Sequence, residues 1–93
     1  MYKLDEIAQA LARATSPHQV ERFLQSILTP TEIREISSRW ALVRLLDQGA
    51  SQRSVAKKLG LSLCKITRGS KELKKRNSAF KQTIDEYIKI TRK

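Results

Sequence analysis

Apolar residues recur every three or four positions along nearly all of this 93-residue chain, and no segment shows the sustained alternation typical of a strand. Such spacing places side chains on one face of an α-helix. A residue able to cap a helix precedes most of these runs, at Ser16, Thr29, Ser51, Ser62 and Ser78. The pattern predicts six helices and an all-α fold.

Proline and glycine mark the expected helix boundaries. Pro17 and Pro30 each follow a capping residue, in the first helical turn where proline is tolerated. Glu32 lies three residues after Thr29, as in a capping box, and opens the longest helix, which Gly49 should end. Four helices have a clear apolar stripe. The stripe of the first helix is Leu4, Ile7, Ala8 and Leu11, and that of the second is Val20, Phe23, Leu24 and Ile27. The stripe of the third helix is Ile33, Ile36, Trp40 and Val43, and that of the last is Phe80, Ile84, Tyr87 and Ile88.

The third helix carries a broad apolar surface, because Leu42, Leu45 and Leu46 extend its stripe. Such breadth indicates contacts on more than one side, with flanking helices or with a second subunit. The chain length predicts one domain over residues 1–93. A domain of this size buries only about 60 to 65 % of its unfolded surface, so a second copy is one way to add buried area.

The net charge of +10 is concentrated in one segment. Residues 51–76 contain a single acid, Glu72, and carry +8 of the total. The basic residues there are Arg53, Lys57, Lys58, Lys65, Arg68, Lys71, Lys74, Lys75 and Arg76. This concentration is typical of a protein that binds a polyanion, and a solvated basic face is the alternative.

Several classes of protein lack support in the sequence. Cys64 is the only cysteine and His18 the only histidine, so an intrachain disulfide, a cysteine-rich zinc site and a nucleophile–base pair are not expected. We therefore expect no catalytic residues, no metal and no enzymatic activity. No apolar run approaches the roughly 18 residues of a membrane helix, and no signal peptide is evident, which predicts a cytoplasmic protein that does not bind membranes.

The strongest motif is the run SQRSVAKKLGLSLCKITR at residues 51–68. Two short helices that cross steeply need a small residue at the crossing and a turn residue that accepts positive φ, which Ala56 and Gly60 supply. The inner apolar faces would be formed by Val55, Leu59, Leu61 and Ile66. The run predicts a helix-turn-helix over about residues 51–76 that binds duplex DNA; an ordinary helical hairpin is the alternative.

A helix-turn-helix assigns roles to its exposed residues. Base edges would be read from the second helix by Leu63, Cys64, Lys65, Thr67 and Lys71. Gln52 and Arg53, at the start of the first helix, could contact phosphates, and Lys57 and Lys58 would add attraction that does not depend on base sequence.

The chain resembles the tryptophan repressor family. The resemblance is carried by Leu28-Thr29-Pro30, Arg39, Ser51-Gln52-Arg53, and above all Ile66-Thr67-Arg68-Gly69-Ser70 followed by Leu73-Lys74. It implies an intertwined homodimer whose two helix-turn-helix units bind the half-sites of a palindromic operator. It also implies that L-tryptophan is a corepressor and that no other cofactor is needed.

The resemblance further implies a ligand slot. The indole ring would lie between Arg39 and Arg68, since a planar guanidinium stacks on an aromatic face. The backbone carbonyls of Leu28 and Thr29 would accept hydrogen bonds from the ligand's ammonium group. Gly69 would serve either close helix packing or access of the ligand to the slot. Glu72 stands where the family's repressor has a serine, beside the ligand's polar end, and its carboxylate should repel that of tryptophan.

Alternatives remain beside this interpretation. The link at Gly49-Ala50 is one residue shorter than in the amino-acid-sensing repressor, which also fits a sister group of regulators that bind DNA without an amino-acid ligand. Arg39 could instead pair with Glu35 or Glu72. A transposase-type helix-turn-helix module and a basic RNA-binding or protein-interaction domain are other hypotheses; few aromatic residues are available for RNA stacking.

Overall fold

The computed structural model describes residues 3–91, which form six helices and no strand. The helices are α1 (Leu4–Ala12), α2 (Pro17–Ile27), α3 (Pro30–Asp47), α4 (Gln52–Leu59), α5 (Leu63–Lys74) and α6 (Ala79–Thr91). The predicted all-α class, the number of helices and their order are confirmed.

Each predicted cap makes its hydrogen bond. The hydroxyls of Ser16, Ser51, Ser62 and Ser78 accept from the backbone N–H three residues ahead, at 3.0 to 3.4 Å. Thr29 and Glu32 form the complete capping box: the Glu32 N–H donates to Thr29 Oγ1 at 3.1 Å, and the Thr29 N–H donates to Glu32 Oε1 at 2.9 Å. The starts of α2 to α6 are thus determined by local side-chain chemistry, whereas α1 begins after Lys3 without a side-chain cap.

The chain divides into two compact units, one ending at Glu35 and the other beginning at Ile36. The first contains α1, α2 and the first turns of α3. None of its described residues is fully buried, and Leu4 is 78 % exposed. The single domain expected over residues 1–93 stays a prediction.

The second unit has a core to which all four of its helices contribute. The buried apolar side chains are Leu42 and Val43 from α3, Val55 from α4, Ile66 from α5 and Ile84 from α6. Partly buried side chains surround them, among them Trp40, Leu45, Leu46, Leu59, Leu61, Leu73, Phe80 and Ile88. Most residues of the apolar stripes predicted for these helices therefore converge on one core. Two predicted stripe residues do not: Ile36 and Tyr87 are 48 % and 46 % exposed, because no described helix fully covers them.

Gly69 is buried in the middle of α5 because α3 passes close to it. A Cβ at this position would overlap Leu42 Cδ1 and would lie 3.3 Å from Val43 Cγ2. The structure therefore supplies a packing reason for a glycine inside a helix, one of the two roles expected from the sequence.

An aromatic cluster extends the core along α6. Trp40 stacks on Phe80 with ring centroids 5.8 Å apart and meets Tyr87 edge-on at 5.9 Å. The Arg44 guanidinium lies 5.2 Å from the centre of the Tyr87 ring, a cation–π contact. Trp40 is thus a packing residue at the edge of the core.

An ion-pair cluster joins the end of α3 to α6. Lys81 Nζ lies 2.7 Å from Asp47 Oδ1 and 3.1 Å from Asp85 Oδ1. The Asp47 side chain is only 12 % exposed, so Lys81 supplies the charge that this nearly buried carboxylate needs. Within residues 3–91, no helix has the length and apolar character required to cross a membrane.

Candidate nucleic-acid interface

Helices α4 and α5 and the three residues between them form the interface candidate. Gly60 ends α4 with φ of 66° and ψ of 33°, a left-handed conformation that favours glycine. The Ala56 carbonyl accepts from the N–H groups of both Gly60 and Leu61, which closes the turn. Val55 and Ile66 are fully buried, so the predicted inner faces of the two helices are confirmed.

The residues predicted to contact DNA lie on the outside of this pair. Gln52 is half-buried, and the other eight are exposed: Arg53, Lys57, Lys58, Leu63, Cys64, Lys65, Thr67 and Lys71. Leu63 is 56 % exposed, which leaves it available to a partner.

One face of α5 forms a shallow open depression. It is lined by Leu63, Cys64, Thr67, Arg68 and Lys71. Four of these were predicted to read bases, whereas Arg68 was assigned to the ligand slot. The one-turn spacing of Cys64, Arg68 and Lys71 is the sequence signal that could have placed Arg68 on this face.

Two predicted DNA contacts from different helices meet. The Thr67 hydroxyl donates to Gln52 Oε1 at 3.2 Å, which links the first turn of α4 to the middle of α5. Sequence reasoning treated these residues separately, as a phosphate contact and a base contact. Fifteen positions separate them in the chain, so no local pattern reveals the bond.

The electrostatics of this region are strongly one-sided. All nine basic residues between positions 51 and 76 are exposed. The lone acid, Glu72, forms an exposed ion pair with Lys75 at 2.8 Å, and an exposed pair of this kind contributes little to stability. The two helices and the turn after them therefore expose many positive charges to solvent, and Glu72 is the single negative charge among them.

Comparisons with known proteins identify the family. The family described as Trp repressor protein matches residues 2–88. The chain belongs to the Trp repressor family. It is 36 % identical over 85 residues to a protein of Chlamydia trachomatis serovar D named Trp operon repressor homolog, covering 86 % of this chain and 90 % of the relative.

A second relative with the same name, from Vibrio vulnificus strain YJ016, is 32 % identical over 89 residues, covering 95 % of this chain and 87 % of the relative. No solved structure gives a significant match. The Trp repressor family consists of transcription regulators, so this member is a transcriptional regulator of the repressor class and not an enzyme. The resemblance found in the sequence is confirmed.

The residues predicted for the ligand slot fall in both units of this family member. Leu28 ends α2 and Thr29 caps α3 in the first unit. In the second unit, Arg39 and Arg68 are exposed, on α3 and α5. Gly69 is buried against α3, and the Glu72 carboxylate is held by Lys75. The ligand role of these six residues stays a prediction.

The described residues also form no candidate metal site. Among residues 3–91, no group of three histidine, cysteine or acidic side chains is arranged to hold a metal ion.

Proposed function

We propose that this protein represses transcription by binding duplex operator DNA, with α5 in the major groove. The observation that carries the proposal is the exposure of all nine basic residues between positions 51 and 76. The buried pair Val55 and Ile66 holds the two helices together, so they present these charges as one rigid unit. The relatives' name, Trp operon repressor homolog, agrees with this role.

The two helices have different tasks in this proposal. The first turn of α4 faces a phosphate in this proposal, because helix N-termini attract anions. The Ser51 hydroxyl caps the Ser54 N–H, so the N–H groups of Gln52 and Arg53 at the start of the helix can point toward the phosphate. The depression on α5 faces base edges, where Leu63 can contact thymine methyls and Thr67 and Lys71 can form hydrogen bonds.

The active form in this proposal is a homodimer in the cytoplasm that binds a palindromic operator. Large apolar side chains outside α4 and α5 support a second copy as the partner: Leu4 is 78 % exposed, Ile90 70 %, Ile27 50 % and Ile36 48 %. Covering such side chains is the ordinary source of dimer stability.

L-Tryptophan is the corepressor in this proposal, stacked between Arg39 and Arg68. Both guanidinium groups are exposed and therefore available to an aromatic ring. Glu72 favours the second candidate, a family member that represses without an amino-acid ligand. Its side chain is 50 % exposed, and an exposed pair with Lys75 does not remove its negative charge from the surroundings of Arg68.

The DNA proposal is tested by titrating labelled duplex DNA with the protein at several salt concentrations. If about six phosphates are neutralised, log K falls with log salt at a slope of roughly −5, which is about a thousandfold between 50 and 200 mM. Replacing Lys57 and Lys58 with alanine should flatten the slope, whereas Lys89→Ala on α6 serves as the control. A slope near zero, or equal affinity for single-stranded RNA, contradicts the proposal.

The corepressor is tested by calorimetric titration of L-tryptophan, a method that the intrinsic fluorescence of Trp40 does not disturb. Saturable heat at about one ligand per subunit that disappears in Arg68→Ala supports the slot. Heat that survives the substitution contradicts the role of Arg68. No heat up to millimolar ligand favours the ligand-independent repressor and leaves DNA binding standing.

A further inference from the structure

The hydrogen bond between α4 and α5 has a direction, and that direction limits what Thr67 can recognise. A hydroxyl has one proton to donate and two lone pairs that accept. Thr67 donates its proton to Gln52 Oε1 at 3.2 Å. Its oxygen is then left as an acceptor toward anything that approaches the exposed face of α5.

We propose that Gln52 is a positioning residue that makes Thr67 an obligate acceptor, so that Thr67 selects a base bearing an exocyclic amino group. In the major groove these groups are the N4 amine of cytosine and the N6 amine of adenine. Guanine and thymine present an acceptor oxygen at the corresponding edge, which would face the lone pair of the Thr67 oxygen and form no hydrogen bond with it. The inference rests on the proposed DNA-binding function and specifies part of its base preference.

The surroundings of the pair favour this arrangement. Thr67 is exposed and lines the depression on α5, whereas Gln52 is half-buried and lies at the first position of α4. With Oε1 turned toward Thr67, the Gln52 NH2 group is the donor on the other side of the amide, and its protons suit a phosphate oxygen. A single chain of hydrogen bonds would therefore run from a base amine through Thr67 and Gln52 to the DNA backbone.

Such a chain couples backbone contact to base reading. A bond between the two helices also restricts the Thr67 rotamer before DNA arrives, so less conformational freedom is lost on binding. Gln52 thus acts on base choice through Thr67 without touching the base.

The test is selection of binding sites from a random-sequence duplex library, followed by affinity measurements on the selected site and its single-base variants. The wild-type protein should prefer cytosine or adenine over guanine or thymine at one position by about tenfold. Thr67→Val and Gln52→Met should each abolish this preference, and the double variant should lose no more. Thr67→Ser should retain it, since serine keeps the hydroxyl.

Two further variants test the direction of the bond. Gln52→Glu can only accept from Thr67, so the preference should persist although overall affinity falls because of the added negative charge. Gln52→Lys can only donate, which frees the Thr67 proton and should reverse the preference toward guanine or thymine. Thermal unfolding of each variant checks that the fold is retained.

The outcomes separate the two proposals. Site selection that succeeds with an unchanged base preference in Gln52→Met overturns this inference and leaves DNA binding intact. The inference is likewise overturned, and DNA binding left intact, if Gln52→Lys still prefers cytosine or adenine. A wild-type protein that enriches no sequence overturns the proposed function, and this inference with it.

Discussion

At the scale of single residues, Gly69 shows how packing overrides helix propensity. Glycine in a helix interior costs about 1 kcal/mol relative to alanine. Here the missing side chain lets α5 approach Leu42 and Val43 of α3, both of which are buried. An added methyl group would have to displace the Leu42 side chain within a packed core, which typically costs about 1 to 3 kcal/mol.

We therefore expect Gly69→Ala to lack the stabilisation of about 1 kcal/mol that the same change provides in an open helix. In a Leu42→Val background, which removes the overlapping Cδ1 atom, Gly69→Ala should stabilise by about that amount. Urea unfolding of the four proteins in this double-mutant cycle measures both effects. Full stabilisation in the wild-type background would contradict the packing argument.

At the scale of secondary-structure elements, the turn between α4 and α5 determines how the candidate interface is presented. Gly60 adopts a left-handed conformation, and a Cβ there would meet no atom within 4 Å. Steric crowding by neighbours is therefore absent, and the requirement for glycine comes from the backbone alone.

Gly60→Ala should consequently destabilise the protein by about 1 kcal/mol, because an L-residue pays an intrinsic penalty in this conformation. Gly60→Asn is the matched control, since asparagine tolerates left-handed dihedral angles and should cost less. Chemical denaturation compares the two. Equal losses would indicate that side-chain volume matters more than backbone strain.

The link between α3 and α6 should make stability depend on pH in the alkaline range. The hydrogen bond to Asp47, followed by that to Asp85, raises the pKa of Lys81 above its ordinary value of 10.5. A raised folded-state pKa means that the stabilisation is present below 10.5 and is lost as the pH rises through the folded-state value.

The difference in unfolding free energy between the wild-type protein and Lys81→Met should therefore be constant near neutral pH and should shrink above 10.5. Lys89→Met, on the same helix, controls for the general titration of lysines. Urea unfolding at a series of pH values measures the difference. A difference that does not change with pH would show that the ion pair contributes nothing.

At the scale of the whole molecule, most of the exposed large apolar side chains lie outside the two helices that carry most of the basic residues. Leu4 and Ile90 are 78 % and 70 % exposed, on α1 and α6, whereas the basic residues concentrate on α4, α5 and the turn that follows. In the proposed function, the exposed apolar side chains on α1 and α6 contact a second copy, and α4 and α5 contact DNA.

Sedimentation should accordingly give twice the mass of one chain, and Leu4→Asp and Ile90→Asp should shift the protein toward the monomer. Leu63→Asp is the matched control: Leu63 is also an exposed leucine, at 56 %, but it lies on α5, so this change should weaken DNA binding without altering the mass. A monomeric wild-type protein would contradict the proposed homodimer.

The sequence by itself determined the helices and their boundaries. Caps such as Ser62 and the Thr29–Glu32 box involve residues three positions apart, and periodic apolar spacing identifies the apolar face of each helix. Whether that face is buried is not a local property, since Leu4 of the predicted first stripe is 78 % exposed. The residues that carry the basic surface were predictable for the same reason, because charge density along a segment is a local property.

Only the tertiary structure decided which faces meet. The bond from Thr67 to Gln52 joins residues 15 positions apart, and that from Lys81 to Asp47 joins residues 34 apart. Sequence patterns identify the face of each helix but contain no information on where along that face a second helix crosses. That crossing point follows from the packing of side chains such as Leu42 against Gly69, so long-range contacts become visible only when the helices are assembled.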